Sequence, residues 1–257
     1  MSNTDRVDKK LFSDDHYLGK PADDLDKIIT RRIAILEMFP EFFGTDLTCI
    51  EIGCGTGATI NRVAGKFKNA LGVDIYDYAA PFNEQRQKNN VSNTRFLQCD
   101  LEKQDLNETF DRLISFEVIE HLQSEDSVSR YASVLNDGGL AAITVPNKWW
   151  IFETHGARLP LLPWNRVPFF SWLPRPIHER FANARIYTLQ RIISLLQKHG
   201  FTVLNHQYVT APMDVLKEGW LKRKLVKYLF RGDNTRVPIL STSIFVMAKK
   251  TGSSKHA

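Results

Sequence analysis

The sequence predicts an α/β fold: a doubly wound, mostly parallel sheet of seven strands, with helices on both faces and an antiparallel strand near the C-terminus. Three observations carry that expectation. Short apolar runs alternate with stretches of helical periodicity from residue 23 to residue 146, the pattern of repeated strand–helix crossovers. The first clear run ends in a glycine loop, Glu51-Ile-Gly-Cys-Gly-Thr-Gly57, of the kind that turns a buried strand sharply into a helix. The last two runs, about 202–210 and 241–248, lie close together in the chain, so one of them is expected to oppose the others.

In chain order, Leu25, Ile28, Ile29, Ile33, Leu36 and Phe39 fall at helical spacing and Pro40 follows, giving an amphipathic helix over 23–39. Strand one is expected at 48–52, a helix at 58–66 and strand two at Ala70 to Asp74. The 83–92 region reads as helical or irregular. Strand three falls at 94–99 and strand four at Arg112 to Phe116, followed by a helix over 118–135. Asn136, Asp137, Gly138 and Gly139 make a turn into strand five, Leu140 to Val145. After Pro146 the alternation breaks, and 147–187, rich in tryptophan and proline, reads as an insertion on the substrate side. A helix over 188–199 ends at Gly200, and a basic helical insertion spans 211–238, with its helix at 214–230.

Composition bounds the rest. A chain of 257 residues, 43% hydrophobic and 25% charged, is that of an ordinary globular protein, read as one domain over 23–250 with loosely ordered segments at 1–22 and 251–257. The net charge of +5 permits an anionic partner without requiring one. Cys49, Cys54 and Cys99 fall on or beside core strands, which points to reduced, buried thiols and a cytoplasmic setting. The polar start, MSNTDRVDKK, has no apolar stretch of a signal peptide behind it, and no run reaches the roughly 18 apolar residues of a membrane span.

The glycine loop is where chemistry begins. A loop of this kind at a helix N-terminus is a nucleotide site, and Gly53, Gly55 and Ala58 also fit the dinucleotide fingerprint, so the loop alone does not choose a ligand. Asp74, at the C-terminal end of strand two, is placed to meet the hydroxyls of a ribose, and Asp100, after strand three, lies where an adenine amino group would be.

Taken together, Glu51-x-Gly53-x-Gly55-x-Gly57, Gly72-Val-Asp74, Gln98-Cys-Asp100, Phe116-Glu-Val-Ile-Glu-His-Leu122 and Thr144-Val-Pro-Asn147 occur in order at the ends of strands one to five. That set resembles the class I S-adenosylmethionine-dependent methyltransferases, nearest to the ubiquinone-biosynthesis O-methyltransferases, over about 25–146 and more loosely over 176–210. The resemblance implies a Rossmann-like sheet and S-adenosyl-L-methionine as cofactor. Glu51 and Gly53, Gly55 and Gly57 would hold its methionine end, Asp74 the ribose and Asp100 the adenine, with Phe116 lining the pocket.

Such an enzyme aligns a nucleophile with an activated methyl group and removes a proton when the acceptor is a hydroxyl. Glu117, Glu120 and His121, at positions i, i+3 and i+4 of an expected helix, would share one face, with His121 and Glu120 as the catalytic pair. Two carboxylates and an imidazole suit Mg2+ or Mn2+, and similar E-x-x-E-H clusters occur in metal-assisted ubiquinone-type enzymes and in small-RNA 2′-O-methyltransferases. A fourth ligand would come from later in the chain, His178 first and His155 behind it. The plainer alternative has Glu117 and Glu120 complementing a helix N-terminus, with His121 packed or acting as a metal-free base.

The insertion mixes Trp149, Trp150, Phe152, Trp164, Phe169, Phe170 and Trp172 with Arg158, Arg166, Arg175 and Arg180, as an apolar or lipid-linked acceptor or a membrane interface would demand; a subdomain burying its own aromatics is the alternative. The segment 217–231 repeats the theme as a basic amphipathic helix, which either lies on an anionic membrane surface or docks on its own domain. The expectation is a cytoplasmic methyltransferase, peripheral to a membrane, acting on the oxygen of a prenylated phenol or glycolipid. Three rivals stay open: an RNA 2′-O-methyltransferase, for which no RNA-binding module is recognisable, a nicotinamide-dependent dehydrogenase, and a catalytically silent cofactor-binding protein.

Overall fold

The computed structural model describes residues 27–153, 155–159, 167–213 and 219–251. The expected segment 1–22, residues 252–257, Trp164, Arg166 and the start of the 214–230 helix lie outside the described residues.

Parallel pairing joins β1 (Gly44–Ile52), β2 (Phe67–Asp74), β3 (Thr94–Gln98), β4 (Phe110–Phe116) and β5 (Leu135–Pro146). Three further strands, β6 (Phe201–Thr210), the two-residue β7 (Asn234–Thr235) and β8 (Ser241–Lys250), complete the sheet in the order β3-β2-β1-β4-β5-β8-β6-β7. The antiparallel strand is β8, which opposes both β5 and β6. Chain direction through the sheet reverses between β1 and β4, and in open α/β sheets the crevice outside the carboxyl ends at such a point is where ligands bind.

Strand alternation divides the core. Ile50, Leu113 and Ile143 point to one face, where they pack with Tyr131, Leu196 and Val246. Cys49, Ile114 and Ala142 point to the other, against Ile33, Leu36, Phe42, Phe82 and Phe245. The first face is covered by α4 (Ser129–Ser133) and α6 (Leu189–Lys198), the second by α1 (Lys27–Leu36), α2 (Ile60–Val63) and α3 (Ala79–Lys88). α6 starts where its sequence says it should: the Thr188 hydroxyl accepts the Arg191 N–H at 3.2 Å, and Gly200 leaves the helix at φ +82. Cys49, Cys54 and Cys99 are buried and unpaired. A satellite core of Trp150, Met213 and Phe230 joins the insertion to α7 (Trp220–Tyr228), and α5 (Arg175–Phe181) lies within the insertion.

Two expectations are corrected. The helix over 118–135 is instead two single 3-10 turns, Ile119–His121 and Glu125–Val128, and the short α4. Side chains take the backbone groups that a helix would have used. Arg185 donates to the carbonyls of Leu122 and Gln123, Glu102 accepts the Gln123 N–H, and the Ser124 hydroxyl accepts the Asp126 N–H. The turn at Asn136–Gly139 lies inside β5 as a bulge: Leu135 faces Phe110 and Leu140 faces Arg112, with Gly138 at φ +78. Among the described residues no helix is long and apolar enough to cross a membrane.

Asp111 pins that bulge. Its carboxylate accepts the Thr48 N–H and hydroxyl, both at 2.9 Å, and the Asn136 amide at 2.8 Å. Burial alone would raise its pKa, but these hydrogen bonds outweigh it and hold the group below the usual carboxylate range. Its contribution to stability is therefore complete above the unfolded-state pKa and lost as pH falls through the lower folded value. Asp111→Ala should lower the urea unfolding free energy by about 1–3 kcal/mol at neutral pH. The difference from wild type should shrink in acid; a pH-independent difference would contradict this role.

Candidate functional site

The C-terminal ends of β1, β2 and β4 build the site around the glycine loop. Gly53 and Cys54 donate N–H groups to the Val73 carbonyl at 2.8 and 3.0 Å, and Gly55 donates to Asp74 Oδ2 at 2.8 Å. The end of β2 thus holds the loop open as a cradle of main chain. Gly53 and Gly57 sit at φ +70 and +78, and a Cβ would lie 2.4 Å from Val118 at the first and 2.5 Å from Asn61 and Phe82 at the second. Neither position admits a side chain without displacing its neighbours.

Glu51 is buried beneath this loop. Its Oε2 accepts the Ile60 N–H at 3.0 Å at the start of α2, and the Thr59 hydroxyl adds a second bond. Burial nonetheless pushes its pKa up to about 8, with Asp74 raising it and Arg32 lowering it. Asp74 is also raised by burial, against hydrogen bonds from the N–H groups of Tyr76 and Gly55. Asp100 stands further out, its Oδ2 paired with Lys103 Nζ at 2.5 Å and its Oδ1 accepting the Glu102 N–H. The Cys99 N–H donates to the Asp74 carbonyl, so the two acidic strand ends are tied together.

The end of β4 supplies the second half. Phe116 is buried, with the Arg32 guanidinium 5.9 Å from its ring centroid. Glu117 follows at φ +60, an uncommon backbone for a residue with a side chain, and its carboxylate pairs with Arg32 at 3.1 Å. Glu120 is 2% exposed, and neither carboxylate oxygen has a hydrogen-bond partner among the described residues. Burial first, and Glu117 second, hold its pKa well above the usual range.

His155 faces both carboxylates, its Nε2 lying 3.5 Å from Glu117 and 3.5 Å from Glu120, and its ring centroid is 5.4 Å from that of His121. Burial, with His155 and Arg185 adding to it, lowers the His121 pKa to about 3, so this imidazole is neutral at physiological pH. Glu120, His121 and His155 each offer a ligand atom, all within 4.8 Å of one another, a donor set that fits a divalent cation.

The family described as a methyltransferase domain matches residues 25–206. The chain belongs to that family. A ubiquinone biosynthesis O-methyltransferase of Bradyrhizobium is 28% identical over 138 residues, which is 52% of this chain and 51% of that protein. An (S)-tetrahydroprotoberberine N-methyltransferase of Eschscholzia californica is 31% identical over 80 residues, 30% of this chain and 23% of that one. The chain thus spans about half, or less, of the length of these curated relatives.

Among solved structures, a Listeria monocytogenes protein described as a putative S-adenosylmethionine-dependent methyltransferase aligns with a TM-score of 0.57 at 16% identity, over 87% of this chain and 98% of its own. Coclaurine N-methyltransferase, solved with N-methylheliamine and SAH, aligns with a TM-score of 0.55 at 17% identity, over 85% and 72%. The fold is therefore the Rossmann-like fold of S-adenosylmethionine-dependent methyltransferases, and family membership sets the dehydrogenase alternative aside.

In this fold Glu51, the three glycines and Asp74 lie together at the ends of β1 and β2, Phe116 ends the neighbouring β4, and Asp100 is joined to Asp74 through Cys99. Of Glu117, Glu120 and His121, the last two come together with His155 on the bend that Glu117 starts, while Glu117 pairs with Arg32 outside that cluster. The choice of His178 over His155 is reversed. His178 is fully buried and bonds Glu153 at 2.7 Å, outside the cluster that His155 joins. Arg32 and Glu153 were missed. Arg32 left a signal: it sits on the apolar stripe of α1, between Ile29 and Leu36, where a cation has no reason to be unless it meets a buried anion.

The raised pKa of Glu51 carries a sign. The folded state holds this proton to about pH 8, whereas the unfolded state gives it up near 4.5. Ligand-free stability should fall as pH rises between those values. Glu51→Gln should flatten that slope in thermal unfolding scans; an unchanged slope would mean that Glu51 is ionised in the ligand-free protein.

Proposed function

We propose that this chain is an S-adenosylmethionine-dependent methyltransferase that acts on the oxygen of an apolar or lipid-linked acceptor, such as a prenylated phenol or a glycolipid. The observation that carries the oxygen assignment is the cluster of Glu120, His121 and His155, with the carboxylate buried and both imidazoles half-buried. When bound, S-adenosyl-L-methionine supplies a methyl group made electrophilic by a sulfonium.

Everything else falls to the chain. Glu51 would answer the ammonium of the cofactor's methionine end with a carboxylate whose Oε2 is already oriented by the Ile60 N–H. The N–H groups of Gly53, Cys54 and Gly55 are taken up by Val73 and Asp74, which fixes the loop that would receive that end. Asp74 retains acceptor capacity for the two ribose hydroxyls beyond its bonds to Gly55 and Tyr76. Asp100 would take the adenine from its border position, and Phe116 walls the pocket beneath Arg32.

At the acceptor side, a hydroxyl must lose its proton as it attacks. His121, with a pKa near 3, is a weak base on its own, which favours a role as a neutral ligand or hydrogen-bond acceptor over that of a free base. Glu120, Glu117, His121 and His155 would hold Mg2+ or Mn2+, which would lower the hydroxyl's pKa; the convergence of both carboxylates on His155 supports that reading. His121 and Glu120 are then the residues nearest the transferred proton. The exposed ring cluster of Trp149, Phe169 and Trp172, with centroids 4.8 and 6.1 Å apart, supports an apolar acceptor. A second reading, transfer to nitrogen, is favoured by the N-methyltransferase activity of the Eschscholzia californica relative, and a neutral amine would need no such help to attack.

Asp74→Ala should weaken S-adenosylhomocysteine binding by roughly 10- to 100-fold, the worth of one or two charge-assisted hydrogen bonds. His121→Ala should leave that affinity intact while cutting transfer to a prenylated phenol by roughly 100-fold or more. The two are separated by titrating the cofactor product calorimetrically and counting radiolabelled methyl transfer. Near-normal transfer in His121→Ala would dismiss the acceptor-side assignment, and transfer to amines alone would move the reading to nitrogen.

A further inference from the structure

The outer face of α7 is not explained by methyl transfer. It lies beyond the residues that match the methyltransferase family, and it is built unlike a solvated helix face. Trp220, Leu221 and Tyr228 are 66%, 51% and 70% exposed, while Leu225 and Val226 turn inward onto Trp150 and Phe230. The helix is thus already docked, and the exposed rings are surplus to its docking. Between Gly219 and Gly232 there are five cations and no acid; Lys222 is buried, and Arg223, Lys224, Lys227 and Arg231 are exposed. Lys224 Nζ lies 5.2 Å from the Trp220 ring centroid and Lys227 Nζ 5.4 Å from that of Tyr228, so cation and ring point the same way.

We propose that this face of α7 is a docking surface for an anionic phospholipid bilayer. An indole and a phenol seat at the boundary between acyl chains and headgroups, and lysines beside them reach the phosphates. Charge decides between occupants. Two copies of this face would bring four exposed cations against four, whereas an anionic leaflet complements them, each cation strengthening adsorption. An exposed leucine among the rings finds a partner in acyl chains and none in a phosphodiester backbone.

Topology adds a consequence that rests on the methyltransferase reading. β6 runs in the same direction as β5, because β8 opposes both, so the chain leaves Thr210 for α7 at the same sheet edge as it leaves Pro146 for the aromatic insertion. The Trp150–Phe230 ring contact at 6.1 Å ties the two segments together. A bilayer held by α7 therefore lies on the edge of the sheet that carries the glycine loop, and an apolar acceptor reaches the site from the lipid side.

The test is co-sedimentation of the full chain with vesicles of phosphatidylcholine alone and with added phosphatidylglycerol, at low and high salt, with tryptophan emission followed in parallel. Retention on the anionic vesicles, a blue shift, and release by salt are expected. Lys224→Ala and Lys227→Ala should each weaken partitioning roughly fivefold. Trp220→Ala/Tyr228→Ala should abolish it, while unfolding temperature and S-adenosylhomocysteine affinity stay at wild-type values. Failure of anionic vesicles to retain the protein overturns the proposal, as does retention indifferent to these substitutions. Binding of an RNA oligonucleotide without vesicle binding assigns the face to nucleic acid, and a concentration-dependent dimer lost in Trp220→Ala/Tyr228→Ala assigns it to a second copy. Loss of vesicle binding with methyl transfer intact would leave the enzymatic reading standing.

Discussion

An excess of buried carboxylate at one edge of the sheet is the constraint on which the rest depends. Glu51, Glu120 and Glu153 are each about 3% exposed or less, and Glu117 lies beside them. Arg32 pairs with Glu117 and its charge also reaches Glu51 and Glu120, while the imidazoles of His155 and His178 share what remains. An uncompensated charge in such a place is costly, and burial raises the affinity of both Glu51 and Glu120 for a proton. That arrangement stabilises nothing by itself. It is a store of negative charge that a cationic ligand can call on, and a cofactor carrying both an ammonium and a sulfonium is such a ligand.

The fold makes that store possible. β1 and β4 are central strands whose buried ends deliver Glu51 and Phe116 to adjacent sites, and the reversal of strand order between them leaves a crevice there. The glycine loop bends away over Glu51 only because Val73 and Asp74 accept its N–H groups. α1 crosses above, and its single buried cation reaches the end of β4.

Much of this was legible in the residues. Strand ends and the glycine spacing are local signals, and each bounds a short apolar run, so the cofactor half of the site could be read by counting along the chain. The acceptor half was harder. Glu117, Glu120 and His121 invite a helical reading, yet the bend at Glu117 and the grip of Arg185 on Leu122 and Gln123 come from residues remote in sequence. His178 was the first candidate for a further ligand, and its burial against Glu153 is a tertiary fact that spacing cannot show. The mixture of rings and arginines in the insertion was visible, but which rings turn inward, as Trp150 and Phe170 do, depends on the satellite core and on what packs against it.

The central claim is that a cationic cofactor ionises Glu51 when it binds. Calorimetric titration of S-adenosyl-L-methionine at pH 7, in two buffers of different ionisation enthalpy, tests it most directly. The account predicts binding accompanied by release of a proton, seen as a buffer-dependent heat that disappears in Glu51→Gln. Binding with the same heat in both buffers would contradict it, because Glu51 would then be ionised before the cofactor arrives.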